Sequence, residues 1–129
     1  MLVWFEKHKK VSIAITVIIA LAIFYISSLS FVPGKSTGSM NSVFYHFLAF
    51  FWFSFFLSIS LISGKKKLFS IALSVALIYA ISDEIHQLFV PYRCCSLSDI
   101  LTDSAGILLA NFAYLIRLKK KIMRSSKLF

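Results

Sequence analysis

Acidic side chains are scarce in this sequence. Five Asp and Glu stand against fourteen Lys and Arg, giving a net charge of +9. A basic balance of this kind is a footprint of nucleic-acid binding when it lines one face. Here the basic residues sit at the ends of apolar segments, so no nucleic-acid partner is expected. Cysteine is also scarce: Cys94 and Cys95 are the only two, and they are adjacent. That spacing excludes a CxxC-type metal site and a disulfide framework. A vicinal disulfide is strained and uncommon, so free or partner-linked thiols are expected. There is no P-loop, no nucleophilic Ser or Cys motif, no internal repeat, no low-complexity tract and no soluble domain. What remains is apolar: 59% of the residues are hydrophobic, against about 45–50% in soluble domains. One unit spanning residues 1–129 is the natural reading at this length.

A membrane span needs about 20 mostly apolar residues, because the hydrocarbon layer is about 30 Å thick and a helix rises about 1.5 Å per residue. Four stretches qualify: Val11 to Val32, Ser42 to Ile62, Leu68 to Val90, and Ser98 to Ile116. The second carries His46, the third reaches Asp83, and the fourth is interrupted by Asp99, Asp103 and Asn111. Between them lie a turn-rich loop from Pro33 to Ser39, a basic turn from Gly64 to Lys67, and a short joint from Pro91 to Ser96. The expected fold class is therefore all-α, an integral membrane four-helix bundle. The first segment is too long for the h-region of a signal peptide, about 7–15 residues, and no A-x-A site follows it, so a retained helix is expected.

Orientation follows from the basic residues. Twelve lie on one side: Lys7, Lys9, Lys10, Lys65, Lys66, Lys67, Arg117, Lys119, Lys120, Lys121, Arg124 and Lys127. Lys35 and Arg93 alone lie on the other. Both termini are therefore expected in the cytoplasm of a multi-pass plasma-membrane protein. The Lys119–Lys121 cluster would also meet anionic lipid head groups.

Asp83, Glu84, Asp99 and Asp103 are four of the five acidic residues, and all fall at the outer ends of the last two spans. His86, Gln87 and Arg93 lie beside them, and His46 sits near the outer start of the second span. Ionisable groups inside a span are costly and usually face the bundle interior or water, paired with one another. Asp83, His86 and Gln87 share helical spacing, and Ala72, Ala76 and Ala80 continue that stripe inward. Asp99, Asp103, Gly106, Ala110 and Ala113 form a second stripe. Small residues let helices approach closely, so the two stripes are expected to meet. The run from Phe44 to Phe56 has seven Phe plus Tyr45 and Trp52, and it reads as lipid-facing and core packing.

Ser82-Asp83-Glu84-Ile85-His86-Gln87, Phe89-Val90-Pro91-Tyr92-Arg93, Ser98-Asp99 and Asp103-Ser104-Ala105-Gly106 together resemble the VanZ-like family. That family carries a D-E-x-x-Q segment, a P-G-R turn, and an aspartate followed by D/N-x-x-G on the last helix. Tyr45-His46-Phe47 resembles its His-aromatic segment, and Ser27-Ser28-Leu29 the polar end of its first helix. Tyr92 stands where the family usually has Gly. The resemblance implies a cell-envelope protein of the kind associated with resistance to the glycopeptide teicoplanin.

Each polar residue has competing readings. Glu84 and Gln87 would line an outward polar pocket, or merely be solvated at a helix end. Asp83 would touch a ligand, or hold His86 or Arg93. His86 is a candidate proton shuttle or an interfacial side chain. His46 is a pocket residue or a packed histidine. Arg93 would bind a phosphate or carboxylate bidentately, or snorkel to lipid phosphates. Ser96-Leu97-Ser98-Asp99 reads as a capping box, whereas Asp103 lies about 6 Å deeper and needs another role, in the site or as a partner of Arg93.

The favoured function is binding of a lipid-linked or anionic envelope ligand, or of a glycopeptide, by His46, Asp83, Glu84, Gln87, Arg93, Asp99 and Asp103. The alternative is a membrane enzyme, a hydrolase or transferase acting on a lipid-linked phosphate or glycan. Glu84, His86 and Asp103 would then be its acid–base candidates. No cofactor and no resident metal are predicted, although Asp and His side chains can hold a divalent metal in the enzymatic reading. A solute carrier ranks lowest, because the polar residues are confined to the outer third. The lipid bilayer is the expected surrounding, a homo-oligomer is a candidate assembly, and the sequence does not fix the oligomeric state.

Overall fold

The computed structural model describes residues 2–30, 39–62 and 68–126. Five helices follow one another: α1 (Leu2–Lys7), α2 (Lys9–Ser27), α3 (Ser39–Ile62), α4 (Phe69–Gln87) and α5 (Leu97–Ser126). No strand occurs among the described residues. Four helices are long and apolar enough to cross a membrane: Lys9–Ser27, Ser42–Ile62, Phe69–Gln87 and Leu97–Lys121. The all-helical four-span expectation holds.

The helix ends differ from those expected, and each difference has a local cause. The first span stops at Ser27 although the apolar run continues toward Val32. Ser28 turns its hydroxyl back onto the Phe24 carbonyl at 2.7 Å, and Arg93 donates to the carbonyls of Ile26 and Leu29. Those contacts cap the helix end, which hydropathy does not register. The third span stops at Gln87. Leu88, Phe89 and Val90 each bond back three residues, to Ile85, His86 and Gln87, ahead of Pro91, which disfavours a helical residue before it. The fourth span's helix, α5, runs past Ile116 to Ser126, because Lys, Arg and Leu are good helix formers whether or not lipid surrounds them. The short helix α1 was not expected; it is separated from α2 at His8. Lys35, the Lys65–Lys67 turn and Lys127, which carry part of the orientation argument, lie outside the described residues.

α3 sits at the centre. Phe50, Phe53, Leu57, Ile59 and Ile62 are buried on it, while Phe44 and Trp52 are exposed, so the aromatic run serves both packing and the outer surface. Ala72, Ala76 and Ala80 of α4 are fully buried against this core, joined by Ile23 of α2 and by Ile107, Tyr114 and Leu118 of α5. In lipid, tight packing and interhelical hydrogen bonds hold helices together. Asn111 supplies one such set: it donates to Ser54 Oγ at 2.7 Å and accepts from Ser58 Oγ at 3.0 Å. Tyr79 adds a bond from its hydroxyl to the Ala20 carbonyl at 2.7 Å.

The two ends of the bundle are chemically distinct. At one, Glu6 of α1 pairs with Lys121 Nζ at 2.7 Å and lies 3.8 Å from Arg117 Nε, both on α5. At the other, the last turns of α2 and α4, the early part of α3 and the first turns of α5 bring the remaining acidic residues together.

Candidate functional site

The close approach of two backbones creates the site. A Cβ on Gly106 of α5 would lie 2.5 Å from the Phe47 carbonyl oxygen and 3.2 Å from the Phe51 amide nitrogen, both on α3. Only glycine permits that contact. The small-residue stripe of α5 therefore meets α3 at this level, where the sequence pattern pointed to α4. One turn before Gly106, Asp103 reaches His46: Nδ1 to Oδ1 is 3.0 Å, with both residues buried.

α4 supplies the other half. A helix advances about 100° per residue, so Asp83, Glu84 and Gln87 lie on one side and His86 falls outside their arc. Asp83, Glu84 and Gln87 are accordingly buried, at 3%, 0% and 2% exposure. Gln87 Nε2 donates to Asp83 Oδ2 at 3.0 Å and to Glu84 Oε1 at 3.3 Å. Ser27 Oγ of α2 donates to Asp83 Oδ2 at 2.8 Å. The main-chain amide of Ser96 donates to Glu84 Oε2 at 2.9 Å. In a capping box that amide is taken by the acid three residues on. Here Ser96 Oγ accepts from the Asp99 amide at 3.4 Å, but its own amide goes to Glu84.

Two carboxylate oxygens in this group, Asp83 Oδ1 and Asp103 Oδ2, are buried without a hydrogen-bond partner among the described residues. His46, Asp83 and Glu84 each offer one ligand atom, and those atoms all lie within 4.8 Å of one another. These three are the residues that could hold a metal ion. The histidine oriented by a carboxylate, with a second carboxylate nearby, is also the arrangement of an acid–base pair.

His86, Arg93 and Asp99 form a partly exposed rim. His86 Nε2 lies 2.9 Å from Ser28 Oγ, and its ring stacks on Phe24 at 4.5 Å, so it faces α2 and not the buried group. Arg93 directs Nε to the Leu29 carbonyl at 3.3 Å and a terminal nitrogen to the Ile26 carbonyl at 3.1 Å. A cation at a helix C-terminus is favoured there. Tyr92 precedes it with φ of +62°, the left-handed conformation that glycine adopts freely.

Of the residues singled out from sequence, His46, Asp83, Glu84, Gln87 and Asp103 come together in the buried group. His86, Arg93 and Asp99 stand around it. The partnership of Ser27 with Asp83 and the Ser96 amide were not anticipated. Ser27 had a trace in the sequence as the polar end of an apolar helix, whereas a main-chain amide leaves none. A groove of about 690 Å³ opens between α2 and α3, lined by Ile19, Phe44, Tyr45, Leu48, Ala49 and Trp52. It is apolar and does not contain the buried group, but the Tyr45 ring lies 5.6 Å from that of His46.

The sequence matches the family described as VanZ/LLP1 over residues 5–118. No curated protein and no solved structure matches it.

Proposed function

The chain belongs to the VanZ/LLP1 family, and from that premise we propose that it binds a lipid-linked molecule of the cell envelope and alters susceptibility to teicoplanin-like glycopeptides. The observation that carries this reading is the gathering of His46, Asp83, Glu84, Gln87 and Asp103 in one buried group at one end of the bundle. Burying so many ionisable groups in a membrane protein is costly, and such groups mark functional sites by default. The rim residues His86, Arg93 and Asp99 would meet the head group. The groove beside Tyr45 would take the apolar chain, since its lining is almost wholly hydrocarbon and aromatic. The basic excess on the terminal side favours cytoplasmic termini, and with that orientation the site would open at the extracytoplasmic face.

A membrane enzyme acting on a lipid-linked phosphate or glycan is the second reading. It is favoured by one observation, the His46–Asp103 contact of 3.0 Å in a group that also contains Glu84. Both readings are tested by Glu84→Gln and Arg93→Gln chains expressed at matched membrane levels. The expected results are loss of the glycopeptide phenotype and loss of lipid that co-purifies with the protein. Unchanged tolerance and unchanged lipid content in both variants would defeat the binding reading. Turnover of a lipid-linked phosphate or glycan by purified protein, abolished by Glu84→Gln, would establish the second.

A further inference from the structure

Three donors of metal-binding type converge at the buried group from two helices. His46 comes from α3, and Asp83 and Glu84 from α4, with exposures of 2%, 3% and 0%. Their ligand atoms lie within 4.8 Å of one another. Around a tetrahedral ion with bonds of about 2.0–2.2 Å, ligand atoms stand roughly 3.3–3.6 Å apart. The group is therefore at most about 1.2–1.5 Å wider than a closed site.

Each donor is already held by a second partner. Asp103 takes His46 Nδ1 at 3.0 Å, which leaves Nε2 as the ring nitrogen for a ligand. Ser27 and Gln87 both hold Asp83 Oδ2, leaving Oδ1 without a hydrogen bond among the described residues. Gln87 and the Ser96 amide hold Glu84. Metal-bound histidines almost always pass their other nitrogen to a carboxylate or carbonyl, and metal-bound carboxylates are hydrogen-bonded in turn. A buried acceptor left unpaired is also unfavourable, and a cation removes that penalty at Asp83 Oδ1. Three buried carboxylates beside one imidazole further favour added positive charge.

We propose that His46, Asp83 and Glu84 form a divalent metal site, with Asp103 and Gln87 as the residues that orient its ligands. One imidazole with two carboxylates suits Zn²⁺ or Mn²⁺ better than Ca²⁺ or Mg²⁺, which prefer all-oxygen sets. Three protein ligands leave a coordination position open, as in reactive and not purely structural sites. That open position gives a carboxylate-rich group a means of accepting an anionic head group. The metal site does not depend on which envelope ligand is bound.

The test uses the whole 129-residue chain in detergent, in a Cys94→Ser/Cys95→Ser background so that the exposed thiols do not bind Zn²⁺. After chelation, the protein is dialysed against Zn²⁺ or Mn²⁺ and its metal content is measured by mass spectrometry. About one ion per chain is expected, with a rise in unfolding temperature on loading. His46→Ala, Asp83→Asn and Glu84→Gln lose the ion. Asp103→Asn keeps the stoichiometry at saturation but binds about 10–100-fold more weakly. Glu6→Gln, at the opposite end of the bundle, is unchanged. Because a ligand variant could misfold, the Mn²⁺-loaded parent is also examined by pulsed electron spin resonance, where coupling to an imidazole nitrogen is expected. Substoichiometric metal in the parent chain, full occupancy in both Asp83→Asn and Glu84→Gln, or no nitrogen coupling would each overturn the assignment. Since none of these readouts involves a glycopeptide or a lipid, their failure is separable from failure of the ligand reading.

Discussion

Asp103 and His46 meet at 3.0 Å although 57 residues separate them. The contact depends on Gly106, one turn along α5, whose missing side chain lets the α5 backbone touch α3. An aspartate followed three residues later by glycine thus reads as a single device: the glycine brings the helices together and the aspartate uses the approach.

Filling that approach is the most direct disturbance. Gly106→Ala places a methyl group 2.5 Å from the Phe47 carbonyl oxygen, so α5 must move away from α3. Overpacking of this kind costs about 1–3 kcal/mol. Thermal unfolding in detergent should fall accordingly, whereas Ala105→Val, at an exposed position of the same helix, should change little.

The pair itself is expected to behave as a buried hydrogen-bonded pair. Removing one partner leaves the other unsatisfied, at a cost of about 1–3 kcal/mol, while replacing both by apolar residues is far less harmful. His46→Leu and Asp103→Leu should each lower stability more than the double variant does. A double-mutant cycle on unfolding in detergent measures this. Strictly additive losses would mean that the two side chains are not coupled.

Tyr92 gives a prediction of opposite sign. Its φ of +62° costs an L-residue about 1–2 kcal/mol, and its side chain is 71% exposed, so little packing is at stake. Glycine relieves the strain but adds unfolded-state entropy of about 0.5–1 kcal/mol. Tyr92→Gly should therefore stabilise the protein by roughly 0.5–1 kcal/mol, seen as a higher unfolding temperature with the site unchanged.

Location is testable without engineering. Cys94 and Cys95 are both exposed, in the joint between α4 and α5. With cytoplasmic termini, a membrane-impermeant maleimide should label both in intact cells after an impermeant reductant. Protection until the cells are permeabilised would put the buried group at the cytoplasmic face and redirect the search to inner-leaflet ligands.

Much of this was legible in the chain itself. The four spans follow from the bilayer's thickness, because length and hydropathy are sums along the sequence. The gathering of acidic residues at one end follows for the same reason: depth along a helix is set by residue number. The alanine stripe of α4 was readable as a packing face because 3.6-residue periodicity fixes which side chains share a side.

Tertiary structure decided the rest. It turned His86 toward Ser28 and Phe24 while Glu84 went inward; the two stand about 160° apart around the helix, and no linear pattern fixes which of them faces the bundle. It ended α2 at Ser27 through caps from Ser28 and Arg93. It gave Asp83 a partner on α2 and Glu84 a main-chain amide from the joint. It set the α5 stripe on α3, so that His46 and Asp103 became partners. Depth is a property of each helix alone; azimuth and partnership belong to pairs of helices, and are fixed only where two backbones come close enough to exclude every other choice.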